Sequence, residues 1–169
     1  MSSPGLSHKF SRIGSWPRCG DEQSPATHLL SATSDKLHIV QLVIAEKPSV
    51  ARDLARVLGV RPAGKNCFLA KDRVITWCVG HLVELDEPAS YDGRWKAWRL
   101  DTLPMIPSEF KLRPVPSTRE QLREVCRLLG DKRFSEVVNA CDAGREGELI
   151  FRYVYQLAGS RLPTSVGVS

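Results

Sequence analysis

Val137-Val138-Asn139-Ala140-Cys141-Asp142-Ala143-Gly144-Arg145-Glu146-Gly147-Glu148-Leu149-Ile150 is the stretch that decides the fold. It begins as a short, bounded run rich in valine, which favours a strand over a helix. An acidic turn follows. Leu149, Tyr153 and Leu157 then recur at i, i+4 and i+8 with Ile150 and Val154 beside them, the spacing of an amphipathic helix. This reading puts Asp142 where a strand ends and Glu146 in the first turn of the next helix. Ligands in open α/β sheets gather at the carboxyl ends of strands. Two carboxylates four residues apart across such a turn can converge on one hard cation.

A second stretch has the same form. Leu42-Val43-Ile44-Ala45-Glu46-Lys47-Pro48-Ser49 is an apolar run ending in a carboxylate. Val50, Leu54, Val57 and Leu58 continue it at helix spacing, and Gly59 is placed to close that helix. If the two strands are neighbours in a parallel sheet, Glu46, Asp142 and Glu146 face one another.

Outward from these stretches, the chain reads β-α-β-β-loop-α-β-α. The first strand is expected over Leu37 to Ala45. Two more are expected at Cys67 to Ala70 and Arg73 to Val79, joined by a tight turn at Lys71-Asp72. Ser117-x-x-Glu120 has the form of a capping box before a helix with Leu122, Val125 and Leu129 on its apolar face and Gly130 as its stop. Strands alternating with helices predict an α/β domain with a largely parallel sheet. Residues 1–40 lack sustained periodicity and read as a disordered or unrelated leader. The tail 160–169 carries no core signal, so the domain is expected over 41–159.

Residues 84–116 form a long loop or insertion with five prolines. Tyr91, Trp95 and Trp98 interleave there with Arg94, Lys96 and Arg99. Such a pattern can stack bases and hold phosphates. The plainer reading is that the tryptophans pack the loop onto the domain and the cations are solvated.

The 169 residues suffice for one domain with a core, and 42% hydrophobic with 25% charged residues is ordinary for a globular protein. No apolar run reaches the roughly 20 residues of a membrane span, and no secretory signal stands at the start. A cytoplasmic protein with no membrane partner is therefore expected. Five cysteines without a C-x-x-C pair, four of them in apolar stretches, predict buried reduced thiols. The four histidines show no metal-ligand spacing. A net charge of +5 permits a nucleic-acid partner without requiring one.

Carboxylates at strand ends suit Mg²⁺, which takes oxygen ligands, keeps several waters and bridges to phosphate. Glu46 is equally a candidate general acid or base. Lys47 and Arg145 lie beside the acids and can hold phosphate oxygens, as can the N-terminus of the last helix. The structural alternatives are concrete: Glu146 stabilising a helix dipole, Glu148 and Arg152 forming an i,i+4 pair, and Asp142 serving only as a cap.

Asp142-Ala143-Gly144-Arg145-Glu146-Gly147-Glu148, taken with Ile44-Ala45-Glu46-Lys47-Pro48-Ser49, resembles the Toprim domain of type IA DNA topoisomerases, in their bacterial topoisomerase III branch. Thr76-Trp77-Cys78-Val79-Gly80-His81-Leu82, Tyr91-Asp92, Trp98, Leu103-Pro104 and Pro107 extend the resemblance in order from about 41 to 159. It implies a Rossmann-like fold with a four-stranded parallel sheet between helices. It also implies Mg²⁺ at a D-x-D-x-E motif, with Asp142 and Glu146 as metal ligands and Glu46 as acid/base group and further ligand. Lys47 would lie near the scissile phosphate of a single-stranded DNA segment. Two departures stand out. Gly144 occupies the place of the middle acid. The attacking tyrosine of the family belongs to a later domain, and Tyr91, Tyr153 and Tyr155 resemble it in no respect. The expectation is a fragment of a DNA-relaxing enzyme, inactive alone and completed by the missing domains in trans. The alternative is a non-catalytic module that binds DNA or a protein partner.

Overall fold

A computed structural model of the protein describes residues 41–63 and 65–167. Residues 1–40, read above as a leader and including Leu37 to Val40 of the expected first strand, lie outside the described residues.

The apolar run that opens the described chain is β1 (Gln41–Ala45). Leu42 and Ile44 face one core, Val43 and Ala45 another, and all four are buried. Burial on both faces is what a near-continuous apolar strand of a parallel sheet requires. Helix α1 (Pro48–Val57) follows at once, with Lys47 as its N-cap and Pro48 in its first turn. A proline is tolerated there because that N–H has no helical partner. Ala51 and Ala55 lay α1 on the Val43–Ala45 side with Ile75 and Trp77. Gly59 ends the helix at φ +64°, a left-handed conformation natural to glycine.

Strands β2 (Arg61–Pro62), β3 (Cys67–Leu69) and β4 (Arg73–Trp77) form an antiparallel meander. Ala70 N–H donates to the Arg73 carbonyl at 2.9 Å and closes the expected turn at Lys71-Asp72. β4 then pairs in parallel with β1, Ala45 opposite Trp77. On the other side of β1 lies β7 (Glu136–Ala140), also parallel, with Ala45 opposite Ala140. The expected neighbourhood of the two motif strands is thus present. Helices α3 (Arg119–Leu129) and α4 (Arg145–Leu157) cover the Leu42–Ile44 face through Leu122, Val125, Leu128, Ile150, Phe151 and Val154. With a last strand, β8 (Thr164–Val166), sheet order is β2-β3-β4-β1-β7-β8, of which β4, β1, β7 and β8 run parallel.

Three expectations needed correction. The tail was read without core signal, yet β8 (Thr164–Val166) lies parallel to β7. Its side chains stay largely at the surface, so no apolar pattern announces it. Backbone bonds recruit it instead: Val137 N–H donates to the Pro163 carbonyl at 2.9 Å and Gly167 N–H to the Asn139 carbonyl at 2.8 Å. The sheet therefore extends beyond the expected limit at 159. The capping box at Ser117 and Glu120 does not form. Pro116 starts a 3₁₀ turn over 116–118 that takes Ser117 into itself, and α3 begins after Thr118 without a side-chain cap. The span 84–116 is also more ordered than a loop. Strands β5 (Val83–Leu85) and β6 (Leu112–Pro114) pair antiparallel at its base, and Arg113 joins Glu84 at 3.0 Å and Glu87 at 3.1 Å. Between them stand the short helix α2 (Pro88–Tyr91) and two 3₁₀ turns. Cys67, Cys78, Cys126 and Cys141 are buried, and among the described residues none is in a disulfide, as expected for these four. Among the described residues no helix is long and apolar enough to cross a membrane.

Candidate functional site

The site lies where β1 and β7 stop. One residue past β1, the Glu46 side chain is buried, with 8% of the residue exposed. A carboxylate is costly to bury unless its charge is answered. Two groups answer it. Lys47 Nζ stands 3.3 Å from Oε1, and Asp142 N–H donates to Oε2 at 3.4 Å. The second contact crosses from β1 to the turn after β7 and ties the two motifs together. Lys47 is held above the ordinary lysine pKa, first by its hydrogen bond to Glu46, then by the negative charge of Glu46, Asp142 and Glu146.

The turn itself is built from backbone contacts. Gly144 N–H donates to the Asp142 carbonyl at 2.7 Å, and Glu148 N–H to the Gly144 carbonyl at 3.1 Å. Gly147, in the first turn of α4, lies against the Asp142 backbone so closely that a Cβ there would overlap the Asp142 carbonyl oxygen and lie 2.9 Å from its nitrogen. Only glycine permits this approach. Asn139 fixes the strand end from inside: its Oδ1 accepts from Cys141 N–H at 3.1 Å, and its Nδ2 donates to Glu148 at 2.8 Å. Glu148 also accepts from Arg152 at 2.5 Å. The i,i+4 alternative therefore describes Glu148 correctly; this acid serves the architecture.

Asp142 and Glu146 are exposed. His81 Nε2 stands 3.7 Å from Glu146 Oε1, a contact that is an ion pair only with the imidazole protonated. His81 reaches the site because Gly80 turns the chain after β4 at φ +65°. Sequence reasoning gave neither His81 nor Asn139 a role. The signal for His81 was its place one turn beyond a strand that neighbours β1. Arg145 is exposed at the first position of α4 and is joined to none of the acids among the described residues. Burial pushes the Cys141 thiol up to about 12, helped by the charge of Glu46, Asp142 and Glu148, and raises Cys78 in the same sense. Neither cysteine is a nucleophile at neutral pH.

Two accessible carboxylates, with water and phosphate as further ligands, match how Mg²⁺ is usually held. They do not match a cage built from protein alone: among the described residues no three acidic, histidine or cysteine side chains group to hold a metal.

The aromatic loop gives a divided answer. Trp95 packs against Tyr91, with ring centroids 6.5 Å apart, whereas Trp98 is 80% exposed. Its arginines are already paired, Arg94 with Asp92 at 2.6 Å and Arg99 with Asp101 at 2.9 Å. That weakens the phosphate-holding reading of the loop.

Comparison with known proteins agrees with this geometry. The family model described as Toprim domain matches residues 41–167. DNA topoisomerase 3 of Bacillus thuringiensis (strain Al Hakam) is 46% identical over 113 residues, 67% of this chain and 16% of the relative. DNA topoisomerase 3 of Shouchella clausii (strain KSM-K16) is 43% identical over 121 residues, 72% of this chain and 17% of the relative. That of Staphylococcus saprophyticus is 39% identical over 123 residues, 73% of this chain and 17% of the relative. The chain thus spans about a sixth of the length of these curated relatives.

Proposed function

Because this chain belongs to the Toprim domain family, we propose that residues 41–167 are the metal- and phosphate-handling domain of a topoisomerase 3-type protein, acting in the breaking and rejoining of one DNA strand. The observation that carries the reading is the contact between Glu46 and the Asp142 backbone, which makes one site of two strand ends. Asp142 and Glu146 are the ligands we assign to Mg²⁺. Bound there with phosphate oxygens, Mg²⁺ supplies neutralisation of charge on the phosphodiester. Glu46, buried beside them, is suited to hold or pass the proton of a leaving or attacking oxygen, or to join the ligand set. Lys47 and Arg145 offer charge to the phosphate oxygens.

The reaction would be a transesterification in which a tyrosine attacks the phosphodiester and the freed 3′-hydroxyl later reattacks. None of this chain's described tyrosines suits the first step. Tyr91 accepts from Lys111 N–H at 2.7 Å, Tyr155 donates to the Leu162 carbonyl at 2.8 Å, and Tyr153 packs on the core. The nucleophile is therefore assigned to further topoisomerase domains, joined in one chain or supplied in trans. DNA in the bacterial cytoplasm is the partner this function requires. A second reading, a binding module without chemistry, draws support from Gly144, where the resemblance leads one to expect an acid.

The test is a graft. Residues 41–167 replace the matching segment of Bacillus thuringiensis DNA topoisomerase 3, with Gly144 and with Gly144→Asp. Mg²⁺-dependent relaxation of supercoiled plasmid by either graft, lost on Glu46→Ala, supports the enzymatic reading. Two folded, DNA-binding grafts that relax nothing would leave the binding module.

A further inference from the structure

We infer that the outer face of α4 is a track for the backbone of single-stranded DNA, running from the acidic turn to a cationic groove at Arg161. The inference rests on the reading of residues 41–167 as a DNA-handling domain and names the surface that holds the strand beyond the acidic turn. Helix α4 buries Gly147, Ile150, Phe151 and Val154. Its opposite side carries Arg145, Leu149, Arg152 and Gln156 at i, i+4, i+7 and i+11, all four exposed. Helical rise sets the first and last of them about 16 Å apart, a length that a few nucleotides cover. No acid stands in that row. Glu148, beside it, is already committed to Asn139 at 2.8 Å and to Arg152 at 2.5 Å.

The far end of the row is a built groove. Arg152, Tyr155, Gln156, Gly159, Ser160 and Arg161 line an open recess of about 450 Å³. Its walls are fixed before anything binds. The Tyr155 hydroxyl donates to the Leu162 carbonyl at 2.8 Å, and the Ser160 hydroxyl to the Leu129 carbonyl at 3.0 Å. Gly159 turns the chain there at φ +62°. Arg161 is thus carried between two anchored residues, yet it is exposed and forms no ion pair among the described residues. Arg152 is aimed by two contacts: Glu148 takes its Nε, and its guanidinium lies 5.9 Å from the Phe151 ring centroid. Its terminal amino groups make no bond among the described residues, which leaves them for phosphate oxygens. Oriented arginines lose little freedom on binding. The chemistry of the row favours a phosphate chain over a protein, because a protein interface centres on an apolar core. Leu149, 41% exposed, is the one large apolar side chain in the row.

Loss of any one positive charge weakens binding to DNA a little, so the test needs a cation placed elsewhere. Arg52 serves: it is exposed on α1, which covers the Val43–Ala45 face of the sheet, opposite to α4. The experiment follows the fluorescence anisotropy of labelled oligothymidylate of about 15 nucleotides as the full 169-residue chain is added. Wild type, Arg161→Gln, Arg161→Lys, Arg152→Gln and Arg52→Gln are compared at NaCl from about 50 to about 200 mM, with folding verified by circular dichroism. Arg161→Gln and Arg152→Gln are each expected to bind roughly fivefold more weakly, with the slope of log K against log salt shallower by about 0.7, the value for one phosphate contact on a single strand. Arg161→Lys keeps the charge and should keep the slope, and Arg52→Gln should match wild type. Equal losses for Arg52→Gln and Arg161→Gln would overturn the proposal. So would displacement of the oligonucleotide by an oligoglutamate of the same length at equal concentration, which would assign the face to an acidic protein partner. Wild-type binding that survives both Arg161→Gln and Arg152→Gln would remove the track and leave the DNA-handling reading in place. A wild-type chain that ignores the oligonucleotide would remove that reading and the track with it.

Discussion

The carboxyl ends of β1 and β7 lie side by side, grow out of similar sequences and end in very different environments. Glu46 is buried, paired with a lysine and bonded to a backbone N–H from the neighbouring turn. Asp142 is exposed, and it is its backbone, not its carboxylate, that the fold uses. The difference separates two tasks that one motif grammar hides. The β1 end positions the site and carries a charge already answered by protein. The β7 end presents charge to whatever arrives.

The largest expected effect on this arrangement comes from the glycine that lets the β7 turn close. Gly147→Ala would push α4 off the Asp142 backbone and is expected to cost about 1–3 kcal/mol by urea denaturation, the usual range for overpacking. An unchanged midpoint would mean that the turn is not held where we place it. The two acids should then diverge. Glu46→Ala removes the partner of the Asp142 N–H, with an expected loss of about 1 kcal/mol. Asp142→Ala should change stability by less than about 0.5 kcal/mol, the norm for an exposed site away from packing. Equal losses in the same denaturation assay would erase the distinction between the strand ends.

Much of this was legible beforehand because the signals were local. Apolar runs marked β1, β4 and β7, and helical spacing marked α1 and α4. The carboxylates at the strand ends followed from those placements. What escaped notice depended on contacts distant in sequence. β8 is held by backbone bonds to β7 and has no apolar stripe of its own. Ser117 has the right partner three residues on, but Pro116 draws it into a 3₁₀ turn. His81 comes near Glu146 only because β4 borders β1 and Gly80 reverses the chain. Trp95 and Trp98 look alike in sequence, and only the fold separates the packed ring from the exposed one.

A smaller effect concerns pH. Cys67 and Cys141 are raised from 9.0 to about 11 and about 12, chiefly by burial. A raised acid favours the folded state least where the unfolded chain ionises first. Their contribution to stability is therefore intact below pH 9 and declines as pH climbs from there toward 11 and 12. Thermal midpoints should fall over that window, and Cys141→Ala should soften the decline. A flat alkaline profile would place these thiols in contact with water. The smallest effect belongs to the loop: Trp98→Ala should shift stability by less than about 0.5 kcal/mol, since its ring is exposed.

The central claim is that the two strand ends act as one site. Its most direct test is an NMR titration of the chain with MgCl₂ in the presence of oligothymidylate, following backbone amides of Glu46 and Lys47 and of Asp142 to Gly147. The account predicts that both stretches shift along one common binding curve and that Asp142→Ala abolishes the shifts in both. Shifts confined to one stretch, or two curves with different midpoints, would contradict it.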